Sequence, residues 1–422
     1  MHILFVTPAY PPFPGGGERY VRALADNLVQ RGHRLTAVTS TAQLEKHFWQ
    51  GGEPQSLQSE QDNRITVLRC PLNPMPGGRA GLLLWRKLMI LLSALPGDQT
   101  AVLHHMARYI PPIQQLEPTL AALPDDIQVV HGFNLSWEYA LSAGWRLARQ
   151  RNIPFVLTPF AHFGTDRRDR LARNATMDHQ RRLLSDADAV LALTSVEIDG
   201  LAEWQIVPRR TAVIGGGLDP LPDWPEPTAV LARYHLSEPP FALFIGRVSR
   251  DKGALDAARA TLALNAAGTP FTLALVGQLS DEFTRFYDGL STAEKQWIRP
   301  LGILDEPDKH ALLSACAMLL LPSHTDSFGI VFLEAWAHGR PVIGARAGGI
   351  PGVVDDGENG LLVPYGDVAA LTGAMRRLLT EPGLGQKMGQ RGRQKVQEVF
   401  NWDHVGDRVL QIYAQILTPP QP

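Results

Sequence analysis

Short apolar runs alternate with amphipathic helical segments along this chain, and the alternation starts over once, at Phe241. HILFVT, at the start, is a largely apolar run of the kind that a buried parallel strand needs. PAYPPFPGGG reads as a loop by its turn residues. ERYVRALADNLVQRG then sets Tyr20, Val21, Leu24, Leu28 and Val29 on one helical face and stops at a glycine. LTAVTS is the next strand. IQVVHG, PFVLTPF, AVLALT and TAVIGGG continue as strands, with helical patterns in SWEYALSAGWRLARQRN and DHQRRLLSDA. After the restart, FALFIG, FTLALVG, MLLLPS, PVIGAR and GLLVP read as strands. ALDAARATLALNAAG, DKHALLSACA, IVFLEAWAHG and DVAALTGAMRRLLTEP read as helices. This order predicts an α/β protein with two doubly wound parallel sheets.

The two halves are separated by LDPLPDWPEPTAVL, which carries four prolines and reads as a linker. The expected division is 1–217, a linker at 218–238, a second domain at 239–400, and a last helix at 401–422. A chain of 422 residues is long enough for this, and 45% hydrophobic with 19% charged residues fits large cores in a water-soluble protein. Ligands of open α/β sheets bind at the carboxyl ends of the strands, so a cleft between two such domains is the expected site.

Net charge of -2, with no dominant Lys/Arg run, argues against a nucleic-acid partner. Cys70 and Cys316 read as buried thiols in a reducing compartment. The start lacks the basic and small-residue features of a signal peptide, so a cytoplasmic protein is expected. The most apolar stretch, Gly81 to Gly97, is interrupted by Arg86 and Lys87 and is too short to span a bilayer. Residues 79–92, with Trp85, Arg79, Arg86 and Lys87, read first as a core-packing helix. The alternative is a contact with the inner face of the membrane, or with a greasy acceptor.

Chemistry concentrates in a few loops. Gly15-Gly16-Gly17 precede a helix and allow close approach of a ligand, but Tyr20 breaks the GxGxxG pattern. A flexible turn is an equal reading there, and the better one for GGGLDP. FIGRVSRDKG puts Arg247 and Lys252 after a strand and before a helix, which suits a diphosphate as well as it suits solvated loop cations. PSHTDSFGIVFLEAWAHG puts Asp326 ahead of a helix start near Phe328-Gly329, and Glu334 in its second turn. Asp326 is either a ligand contact or a helix N-cap. Glu334, in an apolar helix, is costly unless something pairs with it. His162 and His131 lie near strand ends. Asp186 and Asp188 read as solvated acids at a helix end, and DEPD as a turn and helix start. No zinc spacing, P-loop or GxSxG pattern occurs.

Taken together, the glycine loop, TPFAH, FIGRVSRDKG, PSHTDSFGIVFLEAWAHGRPVIGARAGGIPGVV, GENGLLVP and FNWDHVGDRVLQIY resemble the retaining nucleotide-sugar glycosyltransferases of family four. The match spans nearly all of the chain. The resemblance implies the GT-B fold, with two Rossmann-like domains facing each other across a cleft. The first would bind the acceptor and the second the nucleotide sugar, with the final helix crossing back to the first. It implies that His162 reaches the transferred sugar, and that Arg247 and Lys252 hold the diphosphate. Asp326 would touch hydroxyls of the donor sugar, and Glu334 the ribose. Gly16, Gly17, Gly246, Ser327, Phe328, Gly329 and Ile330 would line the donor, and Gly302 and Ile303 would touch the base. Two departures stand out: Asp326 where the family has Glu, and Gly352 where it often has Glu.

The implied reaction moves a sugar from a UDP- or GDP-sugar to an acceptor hydroxyl with retention, without a metal or other cofactor. The acceptor would be a glycan, a lipid-linked molecule or a small molecule. A sugar-nucleotide epimerase and a non-catalytic nucleotide-sugar-binding protein are the competing expectations. A dehydrogenase is disfavoured by the incomplete glycine pattern.

Overall fold

The computed structural model describes residues 1–161, 170–222, 224, 226–238 and 240–418. The chain divides into two compact units, Met1–Gly217 with Trp402–Pro422, and Leu218–Asn401.

In the first unit, the described strands are β1 (His2–Val6), β2 (Arg34–Ser40), β3 (Gln58–Asp62), β4 (Ile65–Cys70), β5 (Val129–Phe133), β6 (Phe155–Thr158), β7 (Ala189–Ala192) and β8 (Thr211–Val213). They form one sheet in the order β3-β4-β2-β1-β5-β6-β7-β8. Its pairs are parallel except β3–β4, an antiparallel edge hairpin. The sequence pattern does not show that hairpin. Gln58–Asp62 reads QSEQD, with no apolar alternation, because an edge strand here needs only its backbone partner. The central strands β1 and β5 are buried throughout, as their apolar composition requires. The helix Trp402–Leu417 packs on this unit. Its Tyr413 hydroxyl lies 2.6 Å from His131 Nδ1, and Trp402 meets the Tyr20 ring edge-on.

The second unit holds β9 (Phe241–Ile245), β10 (Thr272–Val276), β11 (Ile298–Gly302), β12 (Met318–Leu321), β13 (Val342–Ala345) and β14 (Gly360–Val363). All pairs in the order β11-β10-β9-β12-β13-β14 are parallel. The sequence pattern also hides β11, because Arg299 and Pro300 read against a strand; they are tolerated at the sheet edge. The helix Leu384–Glu398 is a further element that the pattern does not announce. Its Gly392 has no room for a side chain, since a Cβ there would lie 2.0 Å from the Trp336 ring, so packing specifies this helix where propensity does not. The proline-rich stretch packs within this unit. Trp224 stacks on His310, and both Arg233 and Tyr234 bond Asp308.

Both cysteines are buried free thiols. Among the described residues, no helix is long and apolar enough to cross a membrane. The helix Gly78–Ser93 differs from the core-packing reading: it buries Leu82 and Met89 but leaves Leu83, Leu84, Leu88 and Leu91 exposed. The cause is its place at the surface, where one side meets a small cluster with Leu103, Met106 and Met177 and the other meets none of the described residues closely enough to bury it.

Candidate functional site

The loops after β9 and β12 meet at the carboxyl edge of the second sheet. Gly253 makes this possible. It has φ +78, and a Cβ there would stand 2.2 Å from the Pro322 carbonyl oxygen, so the two loops touch backbone to backbone. The contact sets Lys252 Nζ 3.1 Å from Asp326 Oδ2. The geometry is ionic rather than an aligned hydrogen bond, and Asp326 Oδ2 stays buried without a hydrogen-bond partner among the described residues.

Asp251, which sequence reasoning passes over, ties the loop together. It accepts from the Ser249 hydroxyl at 2.6 Å, the Thr325 hydroxyl at 3.2 Å and Arg247 at 3.1 Å. Burial pushes its carboxyl up, but the Ser249 bond and the charges of Arg247 and Lys252 outweigh that and hold it below the usual range. An acid four residues after Arg247, and next to Lys252, is the available signal. Arg247 keeps its guanidinium half exposed.

Asp326 is not a helix cap. The helix Ile330–Ala337 has Gly329 as N-cap, in the left-handed region at φ +80 and with no side-chain cap. Asp326 lies three residues earlier. Its carbonyl accepts from Gly349 at 2.8 Å, while its side chain goes to Lys252. Ser327 lies against Gly349, and the Phe328 side chain is core, edge-on to Phe400. Phe332 N–H already donates to the Gly329 carbonyl at 2.9 Å, while the N–H groups of Ile330 and Val331 come before the helix ladder and suit an anion.

Glu334 is 6% exposed and sits one turn into that helix. It has a partner that the sequence reading does not supply. Lys309 Nζ lies 2.9 Å from Glu334 Oε1 and 2.6 Å from Glu306. Glu334 Oε2 is buried with no hydrogen-bond partner among the described residues. Lys309 is legible in principle: Leu312 and Leu313, three and four residues on, are buried on the same helix face. Glu306, His310 and Glu334 have ligand atoms within 4.8 Å of one another, a spacing that a metal could use. The Lys309 ammonium already stands between two of those carboxylates and would repel a dication.

Gly246 follows β9, and Gly302 ends β11 at the same sheet edge. Both have positive φ and open space where a Cβ would be. Ile303 is 79% exposed, unusual for so large an apolar side chain and consistent with a flat partner. Gly16 and Gly17 belong to the first unit, where Gly16 opens the helix Gly16–Gln30 and a Cβ on Gly17 would lie 3.5 Å from the Phe160 ring.

His162 lies outside the described residues. The residue before it, Ala161, donates its N–H to Glu197 Oε1 at 2.8 Å, and Leu193 donates to Oε2 at 2.9 Å. Burial pushes the Glu197 carboxyl up to about 7, against those two amide bonds. Its folded value exceeds the ordinary 4.5, so its contribution to stability is complete below that pH and is lost as pH rises through about 7. Glu197→Gln should therefore flatten the melting profile over this window, relative to the parent protein, by at most about 3 kcal/mol. Parallel profiles for the two proteins would remove Glu197 from that role.

His131 lies inside β5, fully buried between Tyr413 and Thr158, and burial lowers it to about 3, so it is structural. Asp188 is not a solvated acid. It accepts from the Phe155 N–H at 2.9 Å and pairs with Arg209, because it stands where β6 and β7 begin. Asp186 pairs with Arg182. Asp305 does cap a helix, accepting from the Asp308 N–H.

Residues 15–217 match the Glycosyl transferase 4-like domain, and residues 239–381 match Glycosyl transferases group 1. The alpha-maltose-1-phosphate synthase of Mycobacterium tuberculosis (strain CDC 1551 / Oshkosh) is 31% identical over 319 residues, 68% of this chain and 79% of that protein. The chain belongs to the group 1 glycosyl transferases. The synthase of the same name from Mycolicibacterium smegmatis is 32% identical over 259 residues, 56% of this chain, and the match spans 65% of its length. The solved structure of Anabaena HepE in complex with UDP and glucose superposes with a TM-score of 0.70 over 98% of this chain and 99% of its own, at 16% identity. That likeness shows the fold, GT-B. In this glycosyl transferase, Arg247, Lys252, Asp326, Ser327, Phe328, Gly329, Ile330 and Glu334 all fall in two adjoining loops and the helix behind them.

Proposed function

We propose that this chain transfers a hexosyl group, with retention, from a nucleoside diphosphate sugar to an acceptor hydroxyl. One observation carries the reading: Lys252 and Arg247 lie at the carboxyl edge of the second sheet beside a helix start, Lys252 against Asp326, and Glu334, one turn into that helix, keeps a buried oxygen with no hydrogen-bond partner among the described residues. Cations and helix N–H groups suit a diphosphate, and orphaned carboxylate oxygens suit sugar hydroxyls.

As the donor bond breaks, negative charge gathers on the leaving diphosphate. Arg247, Lys252 and the Ile330 helix start stabilise it. Asp251 and Asp326 each hold one cation in place beforehand, so little reorganisation accompanies the charge. Asp326, held against Lys252, faces the donor sugar, and Glu334 faces the ribose. The role proposed for His162, contact with the transferred sugar, is supported by the family resemblance alone. The departing phosphate oxygen takes the acceptor proton on the same face, and configuration is kept. The site has its positive charge from side chains, so no metal is assigned to it. The exposed leucines of Gly78–Ser93 support a lipid-linked acceptor or a membrane-surface contact on the first unit.

The UDP and glucose bound by the Anabaena protein make UDP the first ligand to try. At 100 times its dissociation constant, a true ligand stabilises the fold by about 2.7 kcal/mol. Melting curves with UDP, GDP, ADP and their glucose conjugates should rise for one series. Flat curves for all of them would end the donor reading.

A further inference from the structure

We propose that Lys309 is the positioning residue that aims Glu334 at the ribose of the donor nucleotide; this rests on the donor reading above. The geometry has three parts. First, Lys309 and Glu334 are each almost fully buried, and Nζ occupies only Oε1, at 2.9 Å. The second oxygen, Oε2, is buried with no hydrogen-bond partner among the described residues. Second, Glu306 holds the same ammonium at 2.6 Å from the surface side. One cation between two carboxylates leaves an excess negative charge, so Oε2 is a strong acceptor. Third, Glu334 lies four residues past Ile330 on one helix, about 6 Å along its axis. A diphosphate at the helix start therefore brings the hydroxyls of an attached sugar ring within reach of Oε2.

Stability alone does not explain the pair. A buried ion pair often does no better than apolar residues of the same volume, and this one leaves an acceptor unsatisfied at a cost. The cost is recovered when a ligand hydroxyl donates to Oε2. His310 and His338 pack beside the pair and share a hydrogen bond of 2.9 Å, and burial lowers both, His338 to about 4. Burial thus favours the neutral form of both, and His310 Nε2 lies 3.5 Å from the Glu306 Oε2 that also holds Lys309.

The experiment compares UDP with 2′-deoxy-UDP and 3′-deoxy-UDP, or the matching series if GDP or ADP is the better ligand. The parent protein should prefer the ribose form over at least one deoxy form by roughly 10- to 100-fold, as a hydrogen bond to a charged acceptor provides. Lys309→Met should reduce that preference to within about threefold, raising the donor KM far more than it lowers kcat. Lys309→Arg should restore most of it. Lys309→Gln serves if the methionine variant does not fold, and melting curves check both. Full preference in Lys309→Met, with preference lost in Glu334→Gln, would overturn the role of Lys309. Full preference in Glu334→Gln as well would show that neither residue reads the ribose, while UDP binding left the donor reading intact. Failure of every nucleotide to bind the parent protein would instead end the donor reading itself.

Discussion

Lys252→Ala is expected to lower turnover by roughly two to three orders of magnitude, as loss of a preorganised partner for transition-state charge does. Two effects add. The leaving diphosphate loses a cation, and Asp326, until then paired with Lys252 at 3.1 Å, faces the donor as an uncompensated negative charge. Ground-state binding should suffer less, because Arg247 and the Ile330 helix start remain. The variant should therefore still be stabilised by UDP while it releases UDP from a UDP-sugar slowly, whether water or a supplied hydroxyl is the acceptor. Lys252→Arg, which keeps the charge in a different shape, should recover part of the rate. Turnover near that of the parent protein in Lys252→Ala would remove this residue from the chemistry.

The second large effect is expected at a residue with no functional group. Gly253→Val should cost roughly 2–4 kcal/mol of stability, from a strained positive φ and a side chain driven into backbone. The clash is with the Pro322 carbonyl, 2.2 Å from the Cβ position, which is backbone and cannot rotate away. The loop must then lift off the end of β12, carrying Lys252 away from Asp326. Any protein that still folds should lose turnover about as severely as Lys252→Ala. Gly268→Ala is the control. It has φ +80 but nothing within 4 Å of a Cβ, so it carries the strain without the clash. Equal melting temperatures for Gly253→Val and Gly268→Ala would refute the argument from close approach.

Much of the fold is legible in the residues alone. Buried strands such as FALFI and MLLL announce themselves because a parallel strand covered on both faces must be apolar throughout. Edge elements do not. QSEQD and IRPLG are strands because a neighbour pairs with them, and polar side chains or a proline do no harm at an edge. The same division holds at the candidate site. Arg247, Lys252, Asp326 and Glu334 stand out by residue type beside strand ends and helix starts. Their partners do not. By residue type Asp326 is as good a helix cap as a site residue; in the fold Gly329 takes the cap and Lys252 takes the carboxylate. By residue type Glu334 is a lone acid in an apolar helix; in the fold Lys309, 25 residues away, lies against it.

The sequence by itself determined the two-sheet α/β architecture, the loops that carry charge, and the family, because hydrophobic period and residue chemistry are local properties. Only the tertiary structure decided which acid meets which cation, that Asp251 and Lys309 pair with residues of the candidate site, and which carboxylate oxygens are left without a donor among the described residues. Those are long-range pairings. Each is set by where strand ends converge and by backbone contacts such as Gly253 on Pro322, and no local pattern encodes a contact between residues so far apart along the chain.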